Sequence, residues 1–184
     1  MFDLFRRRRA IHLERALSAI AVATTDYEVI AQLRASARKI TGADRSAVLR
    51  REGDEIVALT EDATNRLWRG LRIPLARSVS AAAFQSGQPV LIRDLLDDPR
   101  VPRSRFDPKE VRGAALYPIA DVLVLGIYWR VPCTPSASVR SAAERLAGGA
   151  AEAIQRLRGE TPVVQPSETT QVVSASLVSG GAHR

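Results

Sequence analysis

Two nearly uninterrupted apolar runs constrain the fold of this chain more than any other feature. They span 113–119 and 122–130 and are separated only by a tight turn near Ala120 and Asp121. Strands that are covered on both faces read as continuous apolar runs rather than as alternating ones. The two runs therefore predict neighbouring strands at the centre of a sheet, with other elements packed on both sides.

Apolar residues recur at helical spacing towards both ends of the chain, which predicts long amphipathic helices there. The first helix is predicted from 10 to about 24. The second follows Thr25 and Glu28, whose spacing is that of a capping box, and it ends at Gly42, which suits a left-handed stop. The last helix is predicted over 134–157.

Between these helices the apolar period changes to two, as in half-buried strands. Residues 46–50 and 56–59 are predicted to form a hairpin, and 67–75 a third strand. A short helix over 78–86 and a brief extended run at 90–92 follow. A sheet with long helices at both chain ends is an α+β pattern.

The length and composition fit one globular domain with two flanking segments. A chain of 184 residues, of which 46% are hydrophobic, can bury one core but hardly two. Residues 10–160 are therefore predicted to be a single domain, preceded by a basic segment at 1–9. Residues 161–184 are rich in Pro, Ser and Thr and are predicted to be a flexible tail.

Cysteine usage and hydropathy favour a cytoplasmic location. Cys133 is the only cysteine, which excludes an internal disulfide and a cysteine-rich zinc site. No apolar run approaches the ~20 residues that a membrane-spanning helix needs. A secretory signal places charge before an apolar stretch, whereas here Phe2, Leu4 and Phe5 precede the arginines.

The basic N-terminal segment has two interpretations. The apolar residues Phe2, Leu4 and Phe5 together with Arg6, Arg7, Arg8 and Arg9 could make a weak contact with an acidic membrane surface. The alternative is a frayed and solvated basic end, because only three apolar side chains accompany the charge. We do not expect nucleic-acid binding, because no aromatic residues interleave with these arginines.

Several segments resemble GAF domains and occur in the order of that family. They are 39–49, 73–75, 78–80, 86–94, 97–100, 113–119, 125–127 and 146–154. Within them, 86–94 reads Ser-Gly-Gln-Pro-Val-Leu-Ile-Arg-Asp and looks like the end of the family's short helix and the turn that follows it. The resemblance covers about residues 10–158.

The resemblance implies a GAF-like antiparallel sheet of about five to six strands. Long N- and C-terminal helices lie on one face of such a sheet, and short helices and loops lie over the other. It also implies a ligand pocket between the sheet and the segment 66–112, frequent homodimerisation through the terminal helices, and a signalling role. Since GAF domains bind many ligands or none, the fold does not identify a ligand or a cofactor.

Six residues are candidates for ligand binding at this face: Trp68, Arg72, Ser78, Asp94, Phe106 and Tyr117. They would supply aromatic walls and converging polar groups, including an arginine able to hold an anion through two hydrogen bonds. For Trp68 and Phe106 the alternative is ordinary core packing, and for Arg72 a solvated position on the sheet. Asp94 belongs to an acidic group interleaved with arginines, which turn capping and ion pairing explain better than a metal site.

Catalysis is not expected from this sequence. The only histidines, His12 and His183, lie in a terminal helix and in the tail, which are poor places for a positioned base. GAF-like reductases of free methionine sulfoxide use several cysteines, whereas Cys133 is alone and is expected to be a half-buried small apolar residue. The pocket segment lacks the cysteine and histidine of bilin- or haem-binding relatives, and 105–110 has the residue types of the cyclic-nucleotide signature in the wrong order.

The function expected from these features is sensing. The chain would bind a small ligand, polar or anionic in character, and would pass the signal to a separate partner protein, since no output domain is evident. The alternative is a degenerate GAF-like adaptor that dimerises without a ligand and contacts a membrane surface through its N-terminus.

Overall fold

The computed structural model describes residues 2–64, 68–101 and 111–159, with side chains from Arg6 onward. The α-helices are α1 (Phe2–Ala21), α2 (Asp26–Thr41), α3 (Ser80–Ser86) and α4 (Ala137–Leu157). The strands are β1 (Arg45–Glu52), β2 (Glu55–Ala63), β3 (Arg72–Pro74), β4 (Val90–Ile92), β5 (Gly113–Ile119) and β6 (Leu123–Trp129). The predicted tail at 161–184 lies outside the described residues.

The strands form one antiparallel sheet in the order β3-β2-β1-β6-β5-β4. All seven residues of β6 are buried, and this strand lies between β1 and β5. The turn between β5 and β6 contains Ala120, whose φ is +50°. The two apolar runs are therefore confirmed as central strands, and the α+β prediction is confirmed with them.

One face of the sheet is covered by α1, α2 and α4, which enclose the larger of two hydrophobic cores. Contacts between α1 and α4 advance in the same direction along both helices, so the two helices run parallel. Arg145 donates to Glu14 at 2.8 Å, and Arg156 donates to the backbone oxygen of Ala21 at 2.5 Å. The two helices approach closely at Gly149, where an added Cβ would lie 2.6 Å from Cδ2 of Leu17.

The α2 helix begins and ends where the capping signals predict. Oγ1 of Thr25 accepts a hydrogen bond from the N–H of Glu28 at 3.2 Å. The Glu28 carboxylate accepts the backbone N–H of Thr24 at 2.7 Å, and this bond is the main reason that the pKa of Glu28 is lowered. Gly42 has a φ of +71° and donates to the Arg38 carbonyl at 2.8 Å.

The first helix is longer than predicted. It begins at Phe2 rather than near Ala10, so the arginine run is helical, consistent with the good helix propensity of arginine. Arg9 is also fixed to the rest of the fold, because its Nε donates to the Ile40 carbonyl and its Nη1 to Oγ of Ser138, both at 2.9 Å. The helix therefore crosses the predicted boundary after residue 9.

The third strand is shorter than the predicted 67–75. Gly70 has a φ of +81°, and the N–H of Leu71 donates to the Trp68 carbonyl at 2.8 Å, so the chain turns just before β3. A left-handed residue interrupts an extended segment. Trp68 therefore lies in a turn rather than in the strand, and the alternation assumed over this segment does not hold.

The second face of the sheet carries a smaller core under α3 and the segments that flank β4. A 3-10 turn at Leu75–Arg77 leads from β3 towards α3, which ends at Gly87 with a φ of +63°. On this side Gly126 leaves room for an aromatic ring, since an added Cβ would lie 2.3 Å from Oη of Tyr128. This is the face to which the sequence assigned a ligand.

Candidate functional site

A cavity of about 130 Å³ lies within the smaller core, between the sheet and the chain that joins β3 to α3. Leu49 of β1 and Ile56 and Ala58 of β2 form its floor, and Val79 and Leu95 line it from the covering segments. Most of its surface is apolar. Such a cavity suits a small molecule with an apolar body and few polar groups.

Two aromatic rings form one wall of this cavity. Trp68 and Tyr128 meet edge to face, with ring centroids 4.8 Å apart and planes at 84°. This is a favoured geometry for aromatic pairs, worth about 0.5–1.5 kcal/mol beyond the area buried. Burial also raises the pKa of Tyr128, so its hydroxyl stays protonated at neutral pH.

A buried ion pair between Arg45 and Glu61 supports the tryptophan. The two side chains are 3% and 0% exposed. Cζ of Arg45 lies 4.5 Å from the centroid of the Trp68 ring, and the backbone N–H of Trp68 donates to Oε2 of Glu61 at 2.9 Å. The ion pair therefore holds both the ring and the backbone of Trp68.

A β-bulge places Glu61 on the cavity side of the sheet. β2 pairs with β1 in regular register from Ala58 towards the hairpin, but the register shifts between Val48 and Leu49, and Leu59 has no partner. Without that shift the alternation from Ala58 would turn Glu61 to the helix side. With it, Glu61 stands opposite Ala47 and shares the face of Arg45.

The polar part of the cavity lies at its edge. Arg77, Ser78 and Ser80 all line it, and Oγ of Ser78 accepts the N–H of Ser80 at 3.2 Å. Ser80 is 2% exposed, and within the described ranges its hydroxyl makes no hydrogen bond. Arg77 is exposed and pairs with no acidic side chain in the same ranges. These groups offer hydrogen bonds and a positive charge to a ligand.

The structure brings two of the six predicted residues to this cavity, Trp68 and Ser78. A third, Phe106, lies outside the described residues, although its segment joins two residues that line the cavity, Val101 and Val111. Whether any of these residues contacts a ligand stays a prediction.

The structure places Arg72 and Asp94 away from the cavity. Arg72 is 54% exposed on the edge strand, where it pairs with Glu52 at 2.8 Å and Glu55 at 2.9 Å. Asp94 forms an ion pair with Arg112, and this hydrogen-bonded contact lowers the pKa of Asp94 from 3.8 to about 2. Both residues are held by neighbouring charges, which agrees with the alternatives of a solvated sheet position and of ion pairing.

Tyr117 is on the opposite face of the sheet from the cavity. Along β5, Ala114 and Leu116 belong to the cavity-side core, whereas Tyr117 belongs to the core under the long helices. Its burial raises its pKa to about 12. The predicted contact between Tyr117 and a ligand at the cavity therefore does not fit this register.

Sequence reasoning missed four residues that build the site: Arg45, Glu61, Arg77 and Tyr128. A signal existed for Glu61, because it is a carboxylate in a strand-like segment that also contains the apolar 56–59. It could not be interpreted from the sequence alone, since the bulge reverses the face on which it lies.

In the described part of the chain, we find neither a reactive thiol nor a metal-binding cluster at this site. Cys133 is half-buried, and its pKa is raised by burial and then by the nearby Asp44, which disfavours a reactive thiolate. Among residues 2–64, 68–101 and 111–159, no cluster of three or more His, Cys, Asp or Glu could hold a metal ion. No helix in those ranges has the length and apolar character to cross a bilayer.

Solved structures with a similar fold come from proteins with different activities. The GAF domain of a phosphoenolpyruvate-protein phosphotransferase from Coxiella burnetii superimposes with a TM-score of 0.71 at 14% identity, covering 84% of this chain and 96% of that one. Free methionine-R-sulfoxide reductase from Neisseria meningitidis, in complex with its substrate, gives 0.66 at 18% identity over 82% and 92%. The chromophore-binding domain of a bacteriophytochrome from R. palustris gives 0.65 at 18% identity over 80% and 60%.

These likenesses show a shared fold, since the sequence identities are low. No curated protein matches the sequence. The family model for the GAF domain matches residues 23–155, a range that includes every strand and the cavity between them. The chain therefore belongs to the GAF domain family.

Proposed function

We propose that this GAF domain senses a small molecule in the cavity beneath Trp68 and signals its presence to a separate partner protein. GAF domains are commonly small-molecule sensing and signalling modules. The observation that carries the proposal is an apolar cavity with a polar edge, which is lined by Ser80, whose hydroxyl makes no hydrogen bond within the described ranges. Because Ser80 lines the cavity, its hydroxyl is available to form a hydrogen bond with a ligand.

The cavity limits the size and chemistry of the ligand. At about 130 Å³ it is similar to a cavity that holds benzene, which suggests a ligand of about six to ten non-hydrogen atoms. Its apolar floor would take a ring or a branched aliphatic group. The exposed guanidinium of Arg77 and the hydroxyl of Ser80 would bind an anionic or hydrogen-bonding end, so the expected ligand is a small amphiphilic acid.

Binding without catalysis is part of the proposal. The described residues that line the cavity include no His, Cys, Asp or Glu. The hydroxyl groups that line the cavity would need a neighbouring base to act as nucleophiles, and the described lining contains no histidine or carboxylate base. The similarity to a methionine sulfoxide reductase is one of fold and brings none of these groups to the cavity.

A route for the signal leads from Trp68 to α2. Glu61 binds the backbone of Trp68 through its side chain, while its own carbonyl accepts Nε of Arg34 at 3.2 Å. The next residue, Asp62, pairs with Arg38 of the same helix at 3.1 Å. A ligand that shifts Trp68 would therefore act on α2, and through it on surfaces available to a partner.

The function can be tested with benzoate, a ring that carries one carboxylate. A ligand that binds only the native state raises the melting temperature, by an amount that grows with the ratio of ligand concentration to Kd. We expect benzoate to raise the melting temperature of the wild-type protein and of Arg72→Gln, whose arginine lies outside the cavity. Arg77→Gln and Ser80→Ala should weaken the response.

A neutral probe separates the two parts of the site. Toluene should raise the melting temperature of the wild-type protein less than benzoate does. It should raise the melting temperatures of wild type and Arg77→Gln equally, because toluene has no charge that the guanidinium can bind. Absence of any shift with both probes, with the cavity occupied by side chains in a crystal structure, would remove the sensor proposal.

One observation favours the adaptor function instead. Ligand pockets usually enclose about 300–1,000 Å³, so this cavity is small for the purpose. In that case the domain would act through dimerisation of its terminal helices, where Ile11 is 50% exposed on α1 and Val22 is 77% exposed just beyond it. Sedimentation equilibrium of wild type against Ile11→Glu would test this, with a monomer in both samples opposing it.

A further inference from the structure

A second groove lies at the other side of the molecule, between the N-terminal parts of α1 and α4. It has a volume of about 370 Å³ and is open to solvent. Its polar lining consists of Arg6 and Arg9 from α1 and Ser138, Ser141 and Arg145 from α4. We call it the basic groove, since its described lining contains three arginines and no acidic residue.

Two hydrogen bonds hold Arg9 in a fixed orientation in the basic groove. Its Nε donates to the last-turn carbonyl of Ile40, and its Nη1 donates to Oγ of Ser138, both at 2.9 Å. A guanidinium has five N–H groups, so these two bonds leave others for a ligand. The contacts also bring the Ser138 hydroxyl beside the positive charge.

The two other arginines, Arg6 and Arg145, make fewer contacts with the rest of the described chain. Arg6 is exposed, and within the described ranges it pairs with no acidic group. Arg145 is 55% exposed and makes one hydrogen bond, to the 62% exposed Glu14 at 2.8 Å. Glu14 therefore offsets the charge of one of the three arginines, and the described side chains that line the groove keep a net positive charge.

We propose that the basic groove binds a phosphate group. Arginine forks match the oxygens of phosphate and bind them through paired hydrogen bonds. Three arginines and two serine hydroxyls from two helices line this one groove and supply hydrogen-bond donors to it. The phosphate can belong to a soluble phosphorylated molecule or to the headgroup of an anionic lipid.

The lipid source has one further feature in its favour. The helix that carries Arg6 and Arg9 includes Phe2, Leu4 and Phe5 in its first turn, so apolar residue types adjoin the groove along the sequence. Helices that bind anionic membranes combine such residues with arginine. The experiment therefore needs a soluble probe and a membrane probe.

Pyrophosphate titration, followed by NMR of the full chain, tests the soluble source. We expect saturable shifts at Arg6, Arg9 and Ser138, and about a tenfold weaker affinity in the double variant Arg6→Gln/Arg145→Gln. The matched control is Arg8→Gln/Arg15→Gln, which removes two exposed charges of α1 that do not line the groove. Equal weakening by the control pair would overturn the proposal, because the effect would then reflect net charge.

Co-sedimentation with vesicles tests the lipid source. If a lipid headgroup is the ligand, vesicles of phosphatidylcholine with phosphatidylglycerol should bind the wild type and the control pair. They should not bind the groove variant, Arg6→Gln/Arg145→Gln. Binding of pyrophosphate alone assigns a soluble ligand, and binding of vesicles alone assigns a lipid. If neither pyrophosphate nor vesicles bind the groove variant more weakly than the control pair, the proposal is wrong. Unchanged melting temperatures of both variants would confirm that each variant is folded.

Discussion

At the scale of single residues, the buried pair of Arg45 and Glu61 defines the candidate site. Replacing a buried ion pair with apolar residues is often neutral or stabilising, so such a pair is weak evidence for a role in stability. Here the pair contacts both the ring and the backbone of Trp68, which forms the cavity wall. Its clearest consequence is therefore a fixed geometry at the cavity.

Removing one charge of this pair should be costly. Glu61→Gln keeps the shape of the side chain and an acceptor for Trp68, but it removes the negative charge that offsets Arg45 in a buried setting. We expect a loss of about 3–5 kcal/mol in the free energy of unfolding, measured by urea denaturation. Glu52→Gln, at a partly exposed pair, should cause a much smaller loss, and equal losses would contradict this account.

The pair of Asp94 and Arg112 predicts a dependence on pH. Because Arg112 lowers the pKa of Asp94 from 3.8 to about 2, the ionised form stabilises the fold above the unfolded-state pKa. That contribution should be present near about pH 6 and should disappear as pH falls from about 4 to about 2. Urea unfolding of wild type and Asp94→Asn should therefore differ near neutrality and converge in acid, whereas a constant difference would oppose the assignment.

The close approach at Gly126 gives a third residue-scale prediction. An alanine Cβ would lie 2.3 Å from Oη and 2.7 Å from two ring carbons of Tyr128, so the ring must move. We expect a destabilisation of about 1–3 kcal/mol from this overpacking, measured by thermal unfolding. The double variant Gly126→Ala/Tyr128→Leu should recover part of the loss if the ring is the cause, and no recovery would point to the backbone.

At the scale of elements, two adjacent glycines of α4 distinguish the effect of helix propensity on stability from the effect of packing. An added methyl at Gly148 meets nothing within 4 Å, whereas at Gly149 it would lie 2.6 Å from Cδ2 of Leu17. Gly148→Ala should stabilise the protein by about 0.5–1 kcal/mol in thermal unfolding, because alanine has the higher helix propensity. Gly149→Ala should gain less or lose stability, and an equal gain at both sites would show that α1 and α4 are further apart.

The boundaries of α2 followed local chemistry, whereas the face on which Glu61 lies did not. The Thr25 cap and Gly42 stop fix the ends of α2 through hydrogen bonds within a few residues, so the sequence reveals them. The face of Glu61 depends on a bulge in the pairing of β1 with β2. A one-residue change in register reverses every side chain beyond it, and the sequence pattern contains no record of that change.

At the scale of the whole molecule, the two faces of the sheet carry cores of different size. The larger core under α1, α2 and α4 contains more of the buried apolar residues, while the smaller core contains the cavity. The cavity therefore lies on the face of the sheet that has the smaller core. β2 links the two sides, since Glu61 contacts Trp68 on one face and Arg34 of α2 through its carbonyl.

This link predicts a response at a distance from the cavity. Benzoate should slow amide exchange in β2 and also in α2, and Arg34→Gln should reduce the α2 response while leaving benzoate binding unchanged. Hydrogen–deuterium exchange with mass spectrometry would measure both. Protection confined to the cavity lining in the wild type would show that the signal does not pass through Arg34.

The sequence by itself determined most of the elements, their order and the resemblance to the family, because apolar periodicity, local caps and turn residues are each read within about ten positions. The central strands at 113–119 and the stop at Gly42 are of this kind. Only the tertiary structure decided which side chains meet. It placed Tyr117 under the helices and brought Arg45, Glu61 and Trp68 together, because strand register, a bulge and a glycine turn set those contacts between distant parts of the chain.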